Sequence, residues 1–203
     1  MNGQKEIWDE FYKANDRPWR GISDLDVLPF PAAGHILEIG CGNGKTIGAL
    51  RERGYKITGV DFSQAAIDSC KRQFNEDVDL QVASVDSLPF EDQVFDGVIV
   101  FHVLEHLEVD ELPRAVSESS RVLKHGCHML VKVFSSDDMR SDKGRRIDDR
   151  TTVRGNGIRY HYFTEDELRS LYPAMEVVKL RTKEESTKFG KKRSRIEMDL
   201  LRC

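Results

Sequence analysis

No apolar run in this 203-residue chain approaches the roughly 20 residues that span a bilayer. The opening residues, MNGQKEIWDEFYK, lack the apolar core of a secretory signal, so the expectation is a cytoplasmic protein. The four cysteines, Cys41, Cys70, Cys127 and Cys203, have neither metal-ligand spacing nor the look of a disulfide framework. A reducing compartment and no bound metal are expected. Global basicity is missing too: 31 Lys and Arg stand against 35 Asp and Glu, a formal charge of −4. Repeats and low-complexity segments are absent, and so is the G-x-S-x-G elbow of a serine hydrolase.

What is present is ordinary globular chain, 39% hydrophobic and 33% charged, with the length of one domain over residues 1–203. Charge is unevenly spread. Residues 140–159 hold seven Arg and Lys against three Asp, and residues 179–195 hold eight against two Glu. Such clusters are commonly solvated faces, but they also offer landing sites for an anionic partner.

Short apolar runs alternate with helical patterns, the signature of β-α-β units and a parallel sheet. Strands are predicted at 35–40, 56–61, 80–84, 96–101 and 127–134, with helices at 45–54, 63–74 and 110–123. Ser63 is placed to cap the second of these helices. Residues 135–163 show no periodicity and are predicted as a long loop, a length usually tied to function. Thr164 and Glu167 have capping-box spacing for a helix, and a C-terminal antiparallel hairpin over 175–182 and 194–203 follows. The first 33 residues carry both tryptophans beside Phe11 and Tyr12. They read either as a helix packed on the domain's edge or as a lid over a cleft.

The sharpest local signal is ILEIGCGNGKT, residues 36–46. A dinucleotide turn reads G-x-G-x-x-G, whereas this one is Gly40-x-Gly42-x-Gly44, one residue short. Glu38, just before it, would repel a diphosphate and suit a positively charged group, such as an α-amino group or a sulfonium. S-adenosylmethionine carries both.

LEIGCGNG resembles the first motif of the class I SAM-dependent methyltransferases, in particular the small type-11 group. GVDFS, SLPFEDQVFDGVIVFHVLEHL, RVLKHGCHMLVKVF and HYFTEDELRSLY resemble later segments of that family, in order, across about residues 34–182. The resemblance implies an α/β, doubly wound, mostly parallel seven-stranded Rossmann-like sheet, with S-adenosylmethionine as cofactor and S-adenosylhomocysteine as product. It implies a lid over 1–33, a cofactor-binding core over 34–134, a substrate-side loop over 135–163, and a C-terminal helix and hairpin over 164–203. Asp61, twenty-one residues after Gly40, falls where the family holds the ribose hydroxyls, which a carboxylate accepts in pairs. Phe62 offers the adenine an apolar face. The family's adenine-binding acid falls at Ser84, so either Ser84 with the Val85 amide or Asp86 meets the base. Trp19, Glu38, Gly40, Cys41, Gly42, Gly44, Ser63, Phe101, His102 and His106 complete the expected cofactor set.

HVLEH, residues 102–106, also matches an inverted zinc-protease pattern, but it follows directly on a buried strand instead of lying on a long helix. His102, His106 and His161 are candidates for proton handling, and as readily for hydrogen bonding within the fold. Tyr12, Trp19, His102, His106, Arg159, Tyr160 and His161 are candidates for the acceptor wall. The stretch that marks amino-methyltransferases of DNA bases does not follow the fourth strand, and no cysteine is placed to attack a pyrimidine. The main expectation is methyl transfer to O, N or S of a small-molecule acceptor. tRNA or another macromolecule, received by segments 140–159 and 179–195, is the alternative, and a SAM-binding regulator without catalysis is a second one. A dehydrogenase is a distant reading. The residues leave oligomeric state open.

Overall fold

The computed structural model describes every residue except 1, 16–17, 20–22, 24, 26–27, 75–76 and 188–189. The expected 1–33 segment and the basic stretch 179–195 therefore fall partly outside the described residues. Helix α1 (Asn2–Ala14) precedes β1 (His35–Ile39), α2 (Lys45–Glu52), β2 (Lys56–Asp61), α3 (Gln64–Phe74) and β3 (Asp79–Val82). Then come β4 (Phe95–Phe101), a 3-10 turn (Leu104–His106), α4 (Leu112–Val122) and β5 (Leu123–Phe134). The chain ends in β6 (Arg145–Arg146), β7 (Thr151–Val153), β8 (Arg159–His161), α5 (Glu165–Ser170), β9 (Glu176–Ser186) and β10 (Lys192–Leu201).

Seven strands form the main sheet in the order β3-β2-β1-β4-β5-β10-β9. Pairing is parallel from β3 through β5 and antiparallel where β10 meets β5 and β9. Central strands must be apolar on both faces because helices cover both, and side chains alternate with a period of two. Leu37, Ile39, Val98 and Val100 enter one core with Leu112, Ala115, Leu168 and Tyr172. Ile36 and Ile99, one residue out of phase, join Ile47, Leu50 and Ile67 beneath α2 and α3. The edge strand β9 is rich in charge and largely exposed, a pattern that discourages pairing with a further strand.

One sequence expectation fails here. Residues 135–163 are not a structureless loop: β6, β7 and β8 build a separate antiparallel sheet within them. Each strand has only two or three residues, below the length at which alternation is visible. The insert is anchored where Ser136 N donates to the Phe163 carbonyl and Phe163 N to the Phe134 carbonyl, at 2.8 and 2.9 Å. Strand β9 also runs past its expected end, through Lys183, Glu184, Glu185 and Ser186 on the exposed edge, and β10 starts two residues early at Lys192. Among the described residues no helix is long and apolar enough to cross a membrane.

Candidate active site

The glycine turn leaves the C-terminal end of β1 and enters α2. Gly40, Gly42 and Gly44 have φ of 71°, 53° and 82°, the left-handed region that side chains disfavour. Close neighbours demand glycine as well. A Cβ on Gly40 would lie 2.3 Å from Val103 Cγ2, and one on Gly44 would lie 2.3 Å from the Phe74 ring and 2.8 Å from Cys70 Sγ. Cys41 is a free, buried thiol whose hydrogen bond with the Cys70 thiol, together with burial, pushes its pKa upward.

The turn's amides point inward. Gly40 N and Cys41 N both donate to the Val60 carbonyl, at 2.8 and 3.0 Å, and Gly44 N donates to the Cys41 carbonyl at 2.9 Å. Gly42 N donates to Asp61 Oδ2 at 2.9 Å. A diphosphate nest needs free amides aimed outward, so this turn is not one.

Glu38 departs from expectation. The residue is only 4% exposed, and burial raises its pKa to about 8, although the Thr46 hydroxyl and the Ile47 amide pull the other way. At neutral pH it is mostly protonated, so it does not repel anions as a standing charge. Its Oε2 is buried with no hydrogen-bond partner. Asp61, at the end of β2, accepts from Ser63 N through Oδ1 at 2.9 Å as well as from Gly42 N. Burial lifts its pKa to about 6. Ser63 Oγ in turn accepts from Ala66 N at 3.1 Å, the expected cap of α3.

Helix α1 packs over these groups. Asp9 Oδ1 accepts from Ser63 Oγ and Ala65 N, at 2.8 and 2.9 Å, so a carboxylate from α1 caps α3 beside Asp61. Tyr12 is buried over the turn, its hydroxyl 2.5 Å from where a Gly42 Cβ would stand, and Trp19 Nε1 donates to that hydroxyl at 3.3 Å. Asn43 Nδ2 donates to the Trp19 carbonyl at 2.9 Å. Phe62 packs with Trp8, Tyr12 and Ala66 beneath the helix. At its other end, Gln4 donates to the Gly157 carbonyl and accepts from Arg159 N, both at 3.1 Å, tying α1 to the insert.

Of the residues expected to meet the adenine, Ser84 bridges to Ser87 and Val85 is buried. Asp86 Oδ1 is buried without a partner, and Oδ2 lies 3.6 Å from the Arg114 guanidinium. Phe101, at the end of β4, lies instead against the α2 face, with Lys132 Nζ 4.5 Å from its ring centroid.

The histidines separate. His102 sits at the end of β4 with φ of 59°, a strained value for a side-chain-bearing residue and one that recurs at functional sites. Glu105 Oε1 accepts from its Nδ1 at 2.7 Å, and Glu105 is fully buried with Oε2 unpartnered. In sequence Glu105 carries no signal for this role beyond its three-residue spacing from His102. His106 Nδ1 donates to the Arg159 carbonyl at 2.7 Å, and burial lowers its pKa. Trp8 and Tyr160 meet its ring edge-on, both at 4.9 Å. The two rings of HVLEH thus turn to different partners. His161 is not brought to the cleft: Thr151 Oγ1 and Glu167 Oε1, each at 2.9 Å, occupy both its nitrogens at the junction of the insert and α5. Arg159 is likewise held by the Leu107 carbonyl and Glu108.

The residues present suit an S-adenosyl group. Asp61 offers carboxylate lone pairs at the sheet's C-terminal edge, Glu38 and Asp86 each hold an orphaned buried oxygen, and no anion nest competes. The strand order, with its antiparallel β10 and the cleft at the topological switch between β1 and β4, defines the class I methyltransferase fold. Residues 37–131 match the family described as a methyltransferase domain, type 11. The chain is 31% identical over 192 residues to the tRNA N(3)-methylcytidine methyltransferase Mettl2 of Drosophila melanogaster, covering 82% of this chain and 59% of that one. It is 30% identical over 196 residues to the tRNA N(3)-methylcytidine methyltransferase trm140 of Schizosaccharomyces pombe, covering 85% and 64%. A crystal structure of a SAM-dependent methyltransferase from Methanosarcina mazei superposes with a TM-score of 0.77 at 25% identity, covering 88% of this chain and 99% of that one. This chain belongs to the class I SAM-dependent methyltransferases, in the type-11 group. It spans less than two thirds of the length of the two curated relatives just described.

Proposed function

We propose that this chain transfers a methyl group from S-adenosylmethionine to a pyrimidine ring nitrogen of tRNA. The observation that carries the reading is the match across 82% of the chain to a relative named as a tRNA N(3)-methylcytidine methyltransferase. Of the two acceptors that the sequence left open, the small molecule has no comparable support. The basic residues of the insert agree with RNA, since Arg145, Arg146 and Arg150 are exposed on or beside its short strands.

In this reading Asp61 accepts the ribose hydroxyls, Asp86 accepts from the adenine amine, and Phe62 and Val85 flank the base. Glu38 faces the amino-acid end, and Gly40 to Gly44 shape the floor. Trp19 and Tyr12 close over them, so that residues 1–33 act as lid, 34–134 as cofactor core and 135–163 as substrate side. The bound cofactor supplies a methyl group already activated on a sulfonium. A neutral cytosine N3 carries its own lone pair, so the chain has no proton to remove before transfer. Its task is alignment and exclusion of water. His102, fixed by Glu105, is the polar group at the end of β4 that can orient the acceptor ring, and the Glu105 carboxyl lies behind it to offset the positive charge that N3 acquires.

Incubation with isotopically labelled S-adenosylmethionine and total cell extract tests this. Label should enter the tRNA fraction and, after nuclease digestion, co-migrate with a methylated cytidine. Label confined to metabolites would restore the small-molecule reading, and none in either would favour the regulator.

A further inference from the structure

Three arginines converge beside the aromatic wall. Arg193, on β10, donates through Nε to Asp138 Oδ2 at 2.8 Å, and its guanidinium carbon lies 5.4 Å from the Phe134 ring centroid. Arg154, after β7, sits 4.2 Å over the Tyr160 ring and donates to the Tyr162 hydroxyl at 2.9 Å, and its Nε is buried without a partner. Tyr162 passes the contact on, donating to the Arg140 carbonyl at 2.9 Å. Among the described residues the Arg140 guanidinium has no hydrogen bond and no carboxylate at ion-pair distance. Burial, then the charges of Arg193 and Arg154, pull its pKa down.

The charges do not balance. Asp138 is buried and fully engaged, accepting from Arg193, from Ser194 N and from Arg140 N. Among the described residues, only the Arg193 guanidinium of the three is paired with a carboxylate. Like charges held together and partly desolvated destabilise the fold, and stacking on Tyr160 and Phe134 keeps two of them in place. An arrangement of that kind is an anion receptor made ready in advance.

Its position says which anion. Phe134 stacks on His102, with centroids 4.5 Å apart and planes inclined by 30°, and Tyr160 lies 6.2 Å from Phe134. The residue after His102, Val103, fills the space against Gly40 in the cofactor turn. The arginines are therefore one ring away from the end of β4, on the acceptor side of the cleft. We propose that Arg140, Arg154 and Arg193 receive a backbone phosphate at the nucleotide being methylated, holding its base over Phe134 and His102. This rests on the RNA reading given above and adds the part of the RNA that is gripped. Aromatic rings take an unstacked base and arginines its phosphate, a division common in single-strand recognition.

Arg140→Gln and the double variant Arg140→Gln/Arg154→Gln test it. Lys56, exposed at the start of β2 and outside both basic segments, supplies the charge control Lys56→Gln. Binding to tRNA across a salt series should weaken several-fold in each trio variant. The slope of log affinity against log salt should fall by about one in total in the double variant, the share of the single phosphate that the trio meets. Affinity for S-adenosylmethionine should hold, and the melting temperature of Arg140→Gln should stay level or rise, because a repulsion is removed. A merely structural arginine would lower it. Trio variants that keep the wild-type slope, or match the control, overturn the phosphate assignment while leaving tRNA as the substrate. Loss of cofactor affinity or of melting temperature overturns it in favour of a structural role. Wild-type protein that neither binds nor methylates tRNA at low salt removes both readings.

Discussion

Asp61 and Gly42 are joined by a hydrogen bond of 2.9 Å, in which the carboxylate that ends β2 accepts the central amide of the turn that follows β1. One side chain therefore fixes the shape of the glycine turn and still has lone pairs to offer a ligand. Asp61→Ala removes both functions. S-adenosylmethionine affinity measured by calorimetry should fall by about 10- to 100-fold, the loss of a charged acceptor for buried hydroxyls. Asp61→Asn keeps the shape but cannot accept from hydroxyl and amide equally through both atoms, and should lie between. Wild-type affinity in Asp61→Ala would remove this carboxylate from the cofactor site.

Gly42 is constrained from above as well as by its backbone. The Tyr12 hydroxyl lies where a side chain would have to go, and φ is 53°. Gly42→Ala should lower the melting temperature and weaken cofactor binding together. Adding Tyr12→Phe removes the nearest clashing atom, since the next Tyr12 atom stands 3.5 Å away. The double variant should regain part of the stability and little of the affinity. Full recovery of affinity would mean that the turn matters only as packing.

Glu38 predicts a pH dependence whose sign follows from its raised pKa. Unfolded, the carboxyl ionises near 4.5, and folded without ligand only near 8. Between those values the native state binds the extra proton, so this group's contribution to stability declines as pH rises from about 4.5 to 8. Asp61, raised from 3.8 to about 6, acts in the same sense over a lower window. Glu38→Gln should flatten the upper part of the profile and stabilise the free protein at pH 8 by roughly 1–3 kcal/mol. A cationic amino group binds the ionised carboxylate better, so cofactor affinity should rise with pH from 6 to 8 in the wild type and lose that slope in Glu38→Gln. Equal slopes in both would place the amino group elsewhere.

The core strands were legible because parallel strands buried on both faces must be apolar, and FDGVIVF and HILEI have no other use. The cap of α3 was legible from Ser63 alone, but its second half was not, because Asp9 arrives from 54 residues away. The turn was identified for a reason that needs revision. Its spacing and Glu38 argued against diphosphate by charge, whereas the fold excludes it by directing the amides of Gly40, Cys41, Gly42 and Gly44 into the protein. Burial silences Glu38, and burial is not written in a five-residue motif. His161 looked equivalent to His106 in sequence, yet Thr151 and Glu167 claim both its nitrogens. The insert was missed because two- and three-residue strands carry no period, and its arginines become a cluster only when β10 brings Arg193 alongside.

Gln4 grips the insert through two main-chain groups, and Ile7 lies 3.1 Å from where a Cβ on Gly157 would stand, so the first helix and the small arginine-bearing sheet are bolted into one lever. Asp9, on the same helix, clasps the start of α3 next to the carboxylate of Asp61. Any displacement of that helix would therefore strain both attachments at once. In the proposed reading, cofactor exchange and the shape of the insert would be linked through this single thirteen-residue rod.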